Sequence, residues 1–254
     1  MRAAADDPYS ALAEDYHWLV PDGRVEAEAV LDRQGHRLAA VAAPKVLDCS
    51  CGVGADAVAL ARRGYRVWGS DGSDAMVAEA RKRCAEAGVD VPLRVCRWQD
   101  LPGCHDERFD LVLCLGNSVS HLPGDAMVEA FRGMAGVLGP GGVVVVNARN
   151  WEKLRRQQPR LTFPERVLER DGRRCVPLYL WSYAAGWEAP HHVEIVFLVE
   201  ADGSLEARRH ELTFWPFRVG ELHDRLGAAG LRVVDDTYRP EADWYEVVAE
   251  KVED

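Results

Sequence analysis

The sequence of 254 residues predicts an α/β domain on a doubly wound, mostly parallel seven-stranded sheet, interrupted by an antiparallel β insertion. Three observations carry that expectation. Over the first two-thirds, short β-type runs alternate with segments whose apolar residues recur at helical spacing, the pattern of βαβ units. A Gly52-x-Gly54 turn lies between an apolar run and one of those helical segments. After Asn150 the pattern changes to alternating strands joined by a tight turn.

Taken in order, the expected parallel strands are 45–49, 65–70, 91–96, 109–115 and 142–147, with helices over 55–63, 74–87 and 125–138. Gly64 and Gly88 stand where helix C-termini should stop, and Gly139-Pro140-Gly141-Gly142 predicts a turn before the fifth strand. Residues 151–173 are polar and broken by Pro159 and Pro164, as a loop or lid would be. Strands over 175–183, 193–200 and 206–214 follow, with Ala201-Asp202-Gly203-Ser204 as a hairpin turn between the last two. A helix over 218–229 and strands over 231–237 and 244–251 finish the sheet. The whole reads as one domain: a helical cap (1–43), a cofactor core (44–150), a substrate-side insertion (151–216) and closing elements (217–254).

The net charge of −10 argues against a nucleic-acid surface, because phosphate binding needs concentrated Lys and Arg. No apolar run approaches the ~20 residues of a membrane helix, and the acidic N-terminus has no apolar signal core. The expectation is a cytoplasmic protein with a small-molecule substrate and no nucleic-acid or membrane partner; a homo-oligomer is left open. Seven cysteines at scattered positions, with no Cys-x-x-Cys pair, read as reduced thiols rather than a disulfide framework. No paired cluster exists to complete a zinc site, so no metal is expected.

The stretch VLDCSCGVG, 46–54, therefore reads as a ligand loop built on glycines, with Cys49 and Cys51 as small fillers. Glycine lacks a Cβ, so the chain turns sharply and a ligand can lie against it, while the next helix offers unpaired N–H groups to an anion. Gly52, Gly54 and Ala57 in Gly-x-Gly-x-x-Ala also suit a dinucleotide. Asp71, 19 residues after Gly52, follows the second strand, where a carboxylate accepts ribose hydroxyls in either kind of site. Asp48 separates the two. Asp48-x-x-x-Gly52-x-Gly54 resembles the first motif of class I methyltransferases, which bind S-adenosylmethionine (SAM) and release S-adenosylhomocysteine, and carboxylates near the strand ends would favour a cationic cofactor.

A closer resemblance is to the glycine N-methyltransferase and glycine–sarcosine N-methyltransferase group. It rests on CLGNSVSHLP (114–123), with support from SDGSDAM (70–76), RVEAEA (24–29), CRWQD (96–100) and NARNWEKL (147–154). The resemblance implies a Rossmann-like fold and a SAM-dependent enzyme acting on a small amine, with an O- or C-methyltransferase of a secondary metabolite as the alternative. It implies that Arg24 pairs with the methionyl carboxylate of SAM, Gly52 and Gly54 carry the loop contacts, and Asp71 with Gly72 meets the ribose. Met76 would pack on the adenine, Trp98 and Gln99 would flank its polar edge, Asp48 and Cys51 would join the cofactor-binding residues, and Leu115 would line the cofactor near the reaction centre. Asn117 and Arg149 match positions that hold an amino-acid carboxylate. His121 matches a family histidine whose role stays open between cofactor contact and loop support.

Tyr9 and Tyr16, in PYSALAEDYHWL, resemble the N-terminal helix that caps SAM in many methyltransferases. Tyr179, Trp181 and Tyr183 alternate and so share a strand face, either an aromatic wall for the substrate or a packed sheet face. Phe214-Trp215-Pro216 stands where the glycine enzymes carry Tyr-Tyr-Pro, which removes hydroxyls from the pocket and leaves room for a larger amine.

Overall fold

The computed structural model describes residues 7–20, 26–38 and 41–252. Its centre is a seven-stranded sheet of β1 (Lys45–Asp48), β2 (Arg66–Asp71), β3 (Leu93–Val95), β4 (Phe109–Cys114), β5 (Leu138–Arg149), β11 (Leu231–Asp236) and β12 (Trp244–Lys251), in the order β11-β12-β5-β4-β1-β2-β3. β1 to β5 run parallel, and β12 joins β5 antiparallel. The inner strands are apolar nearly throughout because helices cover both faces of the sheet: Val46, Leu47, Leu111, Val112, Leu113, Val144 and Val145 are fully buried. The strand order reverses between β1 and β4, so their carboxyl ends part and leave a crevice.

Helices α3 (Ala55–Arg62), α4 (Asp74–Ala87) and α6 (Gly124–Val137) stand within a residue or two of expectation. Ser73 caps α4 by accepting from the Met76 N–H at 3.3 Å, and Gly88, at φ 66°, ends it. The expected turn at 139–142 is instead drawn into β5. Phe109 pairs with Leu138 and Leu111 with Val143, so the intervening residues bulge out of the ladder. Gly142 lies so close to the Phe109 carbonyl that a Cβ there would sit 2.6 Å from its oxygen.

The second sheet is antiparallel, with β10 (Ser204–Phe214), β9 (His191–Ala201), β8 (Arg173–Ser182) and β6 (Leu161–Thr162) in that order, and β7 (Leu168–Arg170) also on β8. Asp202 (φ 52°) and Gly203 (φ 76°) make the expected two-residue hairpin. The segment expected as a loop holds α7 (Trp151–Gln157) as well as β6 and β7. Asn150 caps α7 and its amide also donates to the carbonyls of Arg239, Pro240 and Ala242, so one side chain secures the helix against the turn before β12. Val193, Ile195, Phe197 and Leu212 of the second sheet join Phe131, Val146, Trp151 and Leu222 in one apolar cluster, so the insertion is packed continuously with the main sheet. Helix α8 (Val219–Ala228) lies beside β11.

At the N-terminus α1 (Pro8–Leu12) and a single 3₁₀ turn, Tyr16–Trp18, precede α2 (Glu26–Leu38). One expectation about the cysteines is overturned: Cys96 and Cys104 are joined by a disulfide, while the other five are buried free thiols. The chain doubles back through the 3₁₀ turn Trp98–Asp100 and the short α5 (Leu101–Cys104), which brings the two Cα atoms to 6.5 Å. A spacing of eight residues matches no motif, so only the folded path shows the pair. This same turn lies on α6 at Gly133, where a Cβ would overlap the Trp98 carbonyl. Gly133→Ala is expected to destabilise the protein by about 1–3 kcal/mol through overpacking, measured by urea unfolding.

Candidate active site

The crevice at the switch point is built from the ends of β1, β2 and β4. After β1 the chain turns through Ser50 and Cys51 to Gly52 (φ 47°) and Gly54 (φ 78°), which starts α3. Asp71, ending β2, clasps this turn: one carboxylate oxygen accepts from the Gly52 N–H at 2.9 Å and the other from the Ser73 N–H at 2.9 Å. Burial raises the Asp71 pKa, against the lowering effect of the Ser73 and Gly52 N–H groups. The Trp98 indole N–H donates to the Cys49 carbonyl at 2.7 Å, fixing an aromatic wall against the same turn.

Two cavities open here. The larger, about 580 Å³, is bordered by Tyr9, Tyr16, Gly52, Asp71, Gly72, Met76, Trp98, Gln99 and His121. The smaller, about 280 Å³, is bordered by Cys51, Leu115, Asn117, Arg149, Trp181 and Phe214. Tyr9, Tyr16, Ser50, Gly52 and Ser118 border both, so the cavities meet beneath the N-terminal tyrosines. The larger cavity suits SAM by the chemistry of its lining. Asp71 offers a carboxylate to ribose hydroxyls, Met76 and Trp98 offer apolar faces to adenine, and the Gly52 backbone carries no side chain where the cofactor would pass.

Other expected residues have different places. Gly54 borders neither cavity; a Cβ on it would come within 3.1 Å of the Ala80 backbone, so it serves the contact between α3 and α4. Asp48 is buried behind the turn, accepting from the Ser50 N–H at 3.3 Å, and also lies outside both linings. Tyr183 stacks on Trp181 and donates to the Pro159 carbonyl, and Trp215 donates its backbone N–H to the Ser120 carbonyl; neither borders either of these two cavities. Arg24 lies outside the described residues.

Asn117, at φ 63°, has both ends of its amide engaged. Its oxygen accepts from the Arg149 backbone N–H at 3.0 Å, and its nitrogen donates to the Ser120 hydroxyl at 2.6 Å. The side chain thus ties the loop after β4 to the end of β5. Arg149 projects into the smaller cavity between two indoles, 4.7 Å from the Trp244 ring centroid and 5.7 Å from that of Trp181. Trp244 was missed from sequence. It pairs directly with Arg149 across β12 and β5, a register that only the folded sheet reveals.

His121 joins three segments. Its Nδ1 lies 2.9 Å from the Thr213 carbonyl, which only accepts, so Nδ1 carries the hydrogen. Nε2 is then the acceptor for the Tyr9 hydroxyl at 2.6 Å. Burial lowers the His121 pKa to about 4 and raises that of Tyr9 well above its ordinary value, so both groups are neutral at physiological pH. Burial likewise pushes up the Cys49 and Cys51 thiols, which are fillers rather than nucleophiles.

A family model described as a methyltransferase domain matches residues 46–142, which include the glycine turn, Asp71 and the loop after β4. Glycine N-methyltransferase of Rattus norvegicus is 35% identical over 122 residues, covering 42% of this chain and 41% of that protein. A ubiquinone biosynthesis O-methyltransferase of Alkalilimnicola ehrlichii is 34% identical over 120 residues, 47% of each chain. The match thus spans less than half the length of these curated relatives. An S-adenosylmethionine-dependent methyltransferase of Clostridium acetobutylicum superposes with a TM-score of 0.77 at 16% identity, over 96% of this chain and 99% of the other, a likeness of fold that includes the antiparallel sheet.

Replacing Asp71 by Asn should weaken S-adenosylhomocysteine binding by about 1.5–3 kcal/mol, the range for hydrogen bonds to a charged group, read by calorimetry. A carboxylate that accepts both ribose hydroxyls would have to be ionised. Affinity in the unaltered protein should therefore fall on acidification, beginning above the ordinary carboxylate range because burial raises the Asp71 pKa.

Proposed function

We propose that this chain, whose residues 46–142 match a methyltransferase domain model, is a class I SAM-dependent enzyme that transfers a methyl group to the nitrogen of a small amine, either glycine, sarcosine or a related amino-acid-like or larger amine. One observation carries the reading: the Arg149 guanidinium, bracketed by Trp244 and Trp181, borders an acceptor-sized cavity that meets the cofactor-sized one. Bound SAM supplies an electrophilic methyl group on a sulfonium. The remaining work is positioning and exclusion of water.

Arg149 would hold an acceptor carboxylate in a bidentate pair, with its guanidinium plane kept in place by the indoles. Asn117 would act one step back, securing the Arg149 backbone rather than meeting substrate itself. Tyr179, Trp181, Phe214 and Trp244 form an aromatic wall that excludes water and tolerates cationic character at the reacting nitrogen. An amine that enters neutral needs no enzymic base. His121 is suited to support instead, since both its nitrogens are engaged within the protein.

A second reading, O-methylation of a larger acceptor, is favoured by Phe214, which gives the cavity an apolar face, and by the similarity to a ubiquinone biosynthesis O-methyltransferase. Incubation with SAM and a panel of amines, amino acids and phenols, read as S-adenosylhomocysteine released and product mass, separates the two. The N-methyl reading expects turnover with an amine and is overturned if only phenols or carbon acids react. Arg149→Ala should raise KM for a carboxylate-bearing amine by on the order of a hundredfold, the effect of removing one partner of a desolvated pair. An amine lacking the carboxylate should be little affected.

A further inference from the structure

A buried acid fastens the N-terminal cap to β10. Asp15 lies between α1 and the 3₁₀ turn, with its side chain 5% exposed. One carboxylate oxygen accepts from the Arg208 guanidinium at 2.8 Å; the other is 3.0 Å from His210 Nε2, which carries the hydrogen because a carboxylate only accepts. Arg208 and His210 are two residues apart on β10 and so point to the same face. Both oxygens of a desolvated carboxylate are thereby partnered, which an isolated buried acid could not survive without.

What this fastening holds is the roof of the site. Tyr16, the next residue, borders both cavities and lies where a Cβ on Gly52 would be 3.7 Å from its ring. Ala13, just before, packs with Val53 and Met76, the residues flanking the glycine turn and opening α4. Further along β10, Thr213 accepts from His121 and Phe214 lines the smaller cavity. The strand that grips the cap therefore also forms the acceptor wall.

We propose that Asp15 is a positioning residue for methyl transfer: gripped by Arg208 and His210, it keeps Tyr16 across the junction of the two cavities and so retards cofactor release. This rests on the methyltransferase reading above. Asp15 touches neither cavity and acts only through Tyr16. The latch also makes the cofactor roof and the acceptor wall parts of one unit, although they belong to opposite halves of the chain.

The test compares the unaltered protein with Asp15→Asn, Asp15→Glu and Arg208→Ala, measuring S-adenosylhomocysteine affinity by calorimetry, its dissociation rate by stopped-flow fluorescence, and unfolding midpoints. Asp15→Asn and Arg208→Ala should each weaken affinity roughly tenfold through faster dissociation, the scale of a lost charged contact. KM for SAM should rise with kcat at saturation retained, and Asp15→Glu should restore much of the affinity. A latch that only supports the fold would lower the unfolding midpoint and leave the dissociation rate alone, which overturns the proposal. Arg208 is partly exposed, so its variant decides the matter even if Asp15→Asn does not fold. Failure of the unaltered protein to bind S-adenosylhomocysteine sinks the cofactor reading and the latch together; binding that is equal in all variants sinks the latch alone.

Discussion

The site depends on a carboxylate clasp at the end of the second strand. Asp71 receives the N–H groups of Gly52 and Ser73, one from the turn after β1 and one from the cap of α4, and so holds together two βα units that the parallel sheet only sets side by side. In a parallel sheet the strands can align while the loops at their carboxyl ends diverge. A buried acid with two fixed donors removes that freedom and leaves the acid oriented toward the cavity. The same burial that shields the clasp raises the pKa of the acid, while the two N–H groups it accepts from oppose that rise.

Around that clasp the remaining polar contacts form links between distant parts of the chain. Asn117 ties the loop after β4 to β5, His121 ties it to Tyr9 and to β10, and Asp15 ties the cap to β10. None of these groups is left to face solvent alone, and each is neutral or paired. The charged and aromatic groups that border the two cavities include the Asp71 carboxylate, the Arg149 guanidinium between its indoles and the aromatic surface of the second sheet. That distribution suits a reaction in which the cofactor carries the electrophile and the protein supplies geometry.

The second sheet is an insertion in sequence and an integral part of the core in space. Its inner face, Val193, Ile195, Phe197 and Leu212, merges with residues of α6, β5 and α8. Such a surface can present Tyr179, Trp181 and Phe214 at fixed positions, as an acceptor wall requires. The segment 151–173, expected to be a loop, is partly regular instead, because Asn150 caps α7 and Trp151 is buried against Trp181 of the second sheet. Gln158, at φ 43°, caps that helix just before Pro159, and Pro164 lies beyond β6, so the prolines do not make the whole segment irregular.

Sequence by itself determined the alternation of strands and helices, the glycine turn, the acid after β2 and the two-residue hairpin. Those features arise from local chemistry: apolar periodicity, the left-handed freedom of glycine, and the turn preference of Asp-Gly. It also indicated, by resemblance, which residues gather around the turn. Tertiary structure decided the rest. Trp244 meets Arg149 because β12 pairs with β5 in one register; Asp15 meets His210 across 195 positions of chain; Cys96 meets Cys104 because a 3₁₀ turn reverses the path between them. It likewise set Gly54 against Ala80 of α4, placed Asp48 behind the turn and engaged both ends of the Asn117 amide inside the protein. The physical reason is the same in each case. A local pattern sets what a segment becomes, whereas the partner of a polar side chain depends on which distant segments the packed core brings within 3 Å or so.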